Sequence, residues 1–198
     1  MLNGKKYYLY VVIDRATRTL YYKIYENKTA VNTKDFMLEV KDLFPFDITH
    51  ILTDNGLELT NKLIRSKKEK LCDKPSLLDE FCVENNIEHR LTKPAAPKTN
   101  GIVERVNKTI KNNTIKLNQY QNIDELELNL KTFLATYNTI RRHSGVRKEL
   151  NVKTPYQALE KWYEINPKIF NKIPIKFKNK ILTLKTIRQV EKQQPFET

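Results

Sequence analysis

Two runs at the head of the chain, "KKYYLYVVID" and "TLYYKIYEN", are dense in β-branched and aromatic residues, and only the short polar stretch 15–18 lies between them. Side chains of that kind fit a pleated, half-buried surface, and so short a link returns the second strand antiparallel to the first. A β-hairpin therefore opens the chain.

From Thr29 the period changes. Val31, Met37, Val40 and Phe44 recur near helical spacing until Pro45 ends the segment. "DITHILTD" is then a short apolar strand running into Asp54, with Asn55-Gly56 as the turn that follows it. Residues 57–86 read as two helices separated by the basic excursion "RSKKEKLCDKPS", whose Pro75 and Ser76 mark a fresh helix start. "IEHRLT" is another short strand, and the prolines of "KPAAPK" hold the next connection extended. Asn100 caps a helix that runs to about Leu117. The segment "DELELNLKTFLATYNTIRR" forms the next, with Leu126, Leu130, Phe133, Leu134 and Tyr137 along one side. Strands first, then strands mixed with helices, then helices alone is the order of an α+β or α/β domain with a mixed sheet.

With 198 residues, 39% of them hydrophobic, the chain has material for one core and a small appendage. The expected organisation is one domain over residues 1–162 and a lysine-rich extension over 163–198, with a hairpin around Lys178 and Asn179. Lys and Arg total 36 against 23 Asp and Glu, and the resulting formal charge of +13 favours a polyanionic partner, nucleic acid first. No run approaches the roughly 18 apolar residues of a spanning segment, and "MLNGKKYYLY" lacks the apolar stretch of a signal peptide. The reading is an intracellular protein with no membrane partner. Cys72 and Cys82 sit in no CxxC and near no His at zinc-ligand spacing, which argues against a disulfide framework or a zinc module. His50, His89 and His143 are scattered, and each alone reads as a structural or surface histidine.

Chemistry concentrates in "PKTNGIVERVNKTIKNN", where Glu104 is the one carboxylate in a run otherwise neutral or basic. At 100° per residue Glu104, Lys108, Lys111 and Ile115 share one stripe, and Ile102, Val106, Ile110 and Leu117 share the opposite one. Glu104 is then either an exposed acid paired with Lys108 or a ligand for a cation. Asp54, at the end of an apolar strand, is either the acid that starts an Asn-Gly turn or the second half of a hard oxygen site for Mg²⁺ or Mn²⁺. The residues alone leave both pairs of readings open.

Three blocks, "ILTDNGLELTNK", "NNIEHRLTKPAAPKTNGIVERVNKTIKN" and "FLATYNTIRRHSGVRKELNVKTPYQAL", resemble in that order the signature blocks of the DDE-type integrase catalytic core of bacterial insertion-sequence transposases and retroviral integrases. The resemblance runs from about Lys5 to Trp162. It implies an RNase H-like fold, with a five-stranded mixed sheet flanked by helices, and two aspartates and a glutamate holding two divalent metals. By block matching Asp54 takes the second aspartate position and Glu104 the glutamate. The implied activity is metal-dependent strand transfer on DNA, at transposon ends and target, by a homo-oligomer, in a bacterial cytoplasm in association with the nucleoid. Arg105, Lys108 and Lys111 on the same helix, with Arg141, Arg142 and His143, are the candidates for holding phosphates.

Two departures qualify the resemblance. The family's first aspartate lies on a strand before the one that "KKYYLYVVID" resembles, so residues 1–198 are expected to carry two of the three acids and to lack that first strand. Asp14 matches instead an acid that the family does not use for catalysis. Fifty positions separate Asp54 from Glu104, wider than the compact retroviral pattern, and the excess falls in a charged surface insertion at 64–76. The competing reading is a non-catalytic nucleic-acid-binding remnant with the same fold and charge.

Overall fold

A computed structural model describes residues 4–61, 74–92 and 101–191. The hairpin is present as β1 (Tyr8–Ile13) and β2 (Leu20–Tyr25), paired antiparallel from Tyr8↔Tyr25 to Ile13↔Leu20. Its turn is tied by Asp14, whose carboxylate accepts from the Thr17 amide at 2.6 Å and the Thr17 hydroxyl at 2.7 Å. Arg18 turns the chain back with φ of 62°. Asp14 is thereby occupied in closing the turn.

Helix α1 (Ala30–Leu43) begins where Thr29 caps the Asn32 amide, and it ends at Phe44. Phe36, Met37, Val40 and Leu43 are buried, but Val31, in the first turn, is 66% exposed. Strand β3 (His50–Thr53) and strand β4 (Glu88–Leu91) pair in parallel, with the crossover helix α2 (Leu77–Glu84) between them in sequence. Ser76 and Asp79 cap α2 reciprocally, satisfying two amides that no helical carbonyl reaches.

Of the two helices expected over residues 57–86, the second is α2, whereas Leu57–Leu59 is a turn. The basic excursion, Cys72, the "KPAAPK" connection and the Asn100 cap lie wholly or mainly outside the described residues. Four strands form two two-stranded sheets, β1-β2 and β3-β4, and no described strand joins β1 to β3. The five-stranded sheet is thus not completed among the described residues.

The remaining elements are α3 (Gly101–Asn113), α4 (Ile123–Thr139), α5 (Ser144–Leu150), α6 (Pro155–Ile165), a 3₁₀ turn at Pro167–Ile169 and α7 (Pro174–Glu191). Helix α3 stops four residues before the expected Leu117, which is consequently 66% exposed. The Thr114 hydroxyl bonds back to the Ile110 carbonyl, and the Lys116 amide reaches five residues back to the Lys111 carbonyl, unwinding the last turn. Helix α4 packs on β2, α6 and α7. Its buried residues include Leu126, Leu130, Leu134 and Tyr137, four of the five expected along that side.

Around Lys178 and Asn179 there is no hairpin. Phe177, Ile181 and Leu184 recur at helical spacing, and the first two are 1% and 0% exposed within the core shared with α4 and α6, so burial of that stripe selects a helix.

Candidate metal centre and cationic face

Asp54 follows β3 directly, exposed to solvent. Its Oδ1 accepts the Gly56 amide at 3.0 Å, and the Gly56 carbonyl in turn accepts the amides of Leu59 and Thr60 at 2.9 and 3.0 Å. The Asn55 side-chain amide donates to the Thr92 carbonyl at 3.2 Å, pinning the turn to the end of β4. The turn-starting role and an outward-facing carboxylate therefore coexist in one residue. One oxygen serves the turn, and the other has no described partner.

A second acid and a lysine stand close by. Lys28 pairs with Glu58 at 2.6 Å, where the Glu58 side chain is 11% exposed. The Lys28 ammonium is drawn above its ordinary pKa, first by the hydrogen bond it donates to Glu58, against the cost of burial, and further by the negative fields of Glu58 and Asp54.

Glu104 lies in the first turn of α3, exposed, on a helix whose buried side is Val106 and Ile110. It pairs with no described cation, so the Lys108 pair of the simpler reading is not formed among the described residues. Helix α3 packs on β1, so the two acids stand on elements associated with different sheets. No group of three or more His, Cys, Asp or Glu with metal-holding geometry occurs among the described residues. Asp54 and Glu104 are two exposed carboxylates on separate elements, oxygen donors of the type that hard divalent cations take.

Arg105, Lys108 and Lys111 are exposed on α3 and pair with no described acid. Some cations elsewhere are paired with acids: Lys5 with Glu26, Lys23 with Glu39, and both Lys172 and Lys180 with Asp42. Arg141 and Arg142 are exposed in the turn after α4. His143 differs. It is half-buried, its ring lies edge-on to Tyr137 at 4.5 Å, and its pKa is held down at about 4 by burial and by the neighbouring Arg141 and Arg18. Near neutral pH it is an uncharged imidazole, so the positive charge of this turn comes from the arginines.

The residues that sequence reading passed over lie just behind Asp54. His89, taken alone as a structural or surface histidine, is 4% exposed and bridges Asp79, Nδ1 to Oδ1 at 2.7 Å, and Thr53, Nε2 to Oγ1 at 2.8 Å. The alternation of "EHRL" was the available signal, because exposed Glu88 and Arg90 leave position 89 facing inward.

Two family models, both described as "Integrase core domain", match residues 1–97 and 85–155. The "Putative integrase ORF3" of Spiroplasma virus SpV1-C74 is 30% identical over 159 residues, covering 78% of this chain. The chain spans 42% of that relative's length. The simian T-cell lymphotropic virus intasome, solved with PP2A regulatory subunit B56 gamma, matches with a TM-score of 0.59 at 22% identity over 79% of this chain and 49% of the other. The HTLV-2 integrase catalytic core domain in complex with magnesium matches with a TM-score of 0.54 at 24% identity, over 80% of this chain and 88% of the other. At such identities the structural likeness establishes the fold, the RNase H-like arrangement of retroviral integrase catalytic cores.

Proposed function

The chain belongs to the integrase core domain family, and on that footing we propose that it is the core of a metal-dependent DNA strand-transfer enzyme in which Asp54 and Glu104 hold Mg²⁺ or Mn²⁺. The observation that carries the reading is Glu104 itself: an exposed acid among exposed, unneutralised cations that nevertheless pairs with none of them in the described residues. A divalent ion bound there supplies Lewis-acid stabilisation of charge at a phosphoryl centre. The protein's own part is positioning. Asp54 is held by its turn, and the core-packed α3 presents Glu104 with Arg105, Lys108 and Lys111 along its exposed side. These cations, with Arg141 and Arg142, contact phosphates and so set where the DNA backbone lies. Transposon ends, a target duplex and assembly with further copies of the chain belong to the same proposal. No helix among the described residues is long and apolar enough to cross a membrane.

A third carboxylate of the kind the family uses is not grouped with these two among the described residues, and this favours a second reading, a nucleic-acid-binding remnant without catalysis. A Mn²⁺ titration followed by thermal melting separates the two. At a hundredfold excess over Kd, a binding site adds about 2.7 kcal/mol, which raises the melting temperature by several degrees. The proposal expects that rise in the wild type and its loss in Glu104→Gln. A wild type indifferent to Mn²⁺ but retaining DNA affinity establishes the second reading.

A further inference from the structure

We propose that the part-buried chain Ser76–Asp79–His89–Thr53 is a positioning relay that holds the Asp54 turn in the shape a divalent cation requires; this rests on the metal reading above. The relay closes on Asp54 from both sides. On one side His89 bonds the hydroxyl of Thr53, the residue immediately before it. On the other, the Ser76 hydroxyl lies 3.0 Å from the carbonyl of Leu59, which ends the turn that Asp54 begins, and 2.8 Å from Asp79 Oδ2. The single Ser76 hydroxyl proton serves one of these two acceptors at a time; with it on the Leu59 carbonyl, the Ser76 amide still donates to Asp79 Oδ2 at 3.1 Å, so Asp79 anchors both arms, Oδ1 through His89 and Oδ2 through Ser76.

The direction of the bonds follows from the donors available. Asp79 only accepts when ionised, so Nδ1 of His89 donates to it, and in the imidazole tautomer this selects, Nε2 accepts the Thr53 hydroxyl proton. That fixes the rotamer of Thr53 at the last position of β3. Asp79 is held below the ordinary carboxylate value: burial acts to raise it, and the hydrogen bonds from His89 and Ser76 outweigh burial.

Stability by itself is a weak reason for such a network. The β3-β4 register is already set by the backbone ladder from His50↔Glu88 to Thr53↔Leu91, and a buried ionic network is commonly no more stabilising than apolar packing of the same volume. What the network adds is geometric definition at the two ends of a turn otherwise tied by its own short-range bonds, the Asn55–Thr92 bond and the Lys28–Glu58 pair. The order carboxylate, imidazole, hydroxyl is also that of a nucleophile triad. With the His89 side chain 4% exposed, however, the imidazole is sealed from any substrate, and its effect reaches a reacting group only through the neighbouring Asp54.

The test measures Mn²⁺ affinity of the full 198-residue chain by electron paramagnetic resonance of the free ion. Thr53→Val keeps the shape and strand propensity and removes the hydroxyl, Thr53→Ser keeps the hydroxyl, and Asp79→Asn removes the anchoring charge. Melting curves without metal establish that each variant is folded. Loss of an outer-shell partner typically weakens metal binding 10–100-fold. The relay predicts a weakening of at least about tenfold in Thr53→Val and Asp79→Asn, with Thr53→Ser within about threefold of wild type. If Thr53→Val and Asp79→Asn bind Mn²⁺ as wild type does while Glu104→Gln does not, the relay is overturned and the metal site stands. If wild type itself binds no Mn²⁺, both fall together.

Discussion

The two small sheets are held in different ways. The β1-β2 hairpin is stitched to the rest of the core by side chains that reach its backbone: Asn138, fully buried, accepts the Leu20 amide and donates to the Leu20 carbonyl, both at 2.9 Å, and the Tyr22 hydroxyl donates to the Leu130 carbonyl at 2.7 Å. Its aromatic face adds the stacked Tyr21 and Phe36 and hydroxyl bonds from Tyr21 to Glu39 and Tyr25 to Asp35. The β3-β4 pair has four residues a strand and alternates exposed with half-buried positions. Its inward positions combine apolar Ile51, packed against the core, with its register partner His89, which the polar relay takes up. The hairpin is built for strength, and the sheet that carries Asp54 is built for orientation.

The largest break in that comparison is Asn138→Ala. It leaves the buried amide and carbonyl of Leu20 without partners, and we expect a loss of about 3 kcal/mol in urea denaturation. A loss below about 1 kcal/mol would show that the hairpin does not depend on this tie.

Next comes acid. His143 packs beside Arg18 of the hairpin turn, and its folded pKa of about 4 lies below the unfolded value of about 6.5. Between those two values the unfolded state binds more protons, so the contribution of His143 is complete above pH 6.5 and is lost as pH falls toward 4. The denaturation midpoint of His143→Phe should fall less steeply over that window than that of wild type, and parallel slopes would refute the assignment.

The smallest effect is expected at Glu88→Gln, which removes the ion pair to Arg90 and weakens the contact with His50 on the solvent side of β4. Pairs that exposed are screened, and the melting temperature should not move measurably. A drop of several degrees would mean that this sheet is held from its outer face, and the contrast with the hairpin would have to be redrawn.

How much of this was legible follows the range of the interactions. The hairpin, α1 from about Thr29, β3, β4 and the buried stripe of α4 were readable because each is written within a few neighbouring residues as a period of two or of 3.6. The C-terminal helix was misread as a hairpin, because its lysines and prolines mask a stripe of Phe177, Ile181 and Leu184 that gains meaning only against α4 and α6. In the candidate site, Asp54 and Glu104 were named from motif blocks, whereas the weight of His89 was not visible. A lone histidine carries no signal until Asp79 and Thr53, 10 and 36 positions away, close around it. The neutral state of His143 was equally hidden, since it depends on burial and on Arg18 from the far end of the chain.

By itself the sequence determined the local elements, the excess of positive charge and the two acids worth watching, because backbone periodicity, capping and net charge are set by neighbours in the chain. The tertiary structure decided which polar groups meet: Asn138 with Leu20, 118 positions apart, and Asp79 with Thr53 through one imidazole. Such meetings depend on how packed elements align in space, and a hydrogen bond accurate to a few tenths of an ångström is a property of that alignment rather than of any segment.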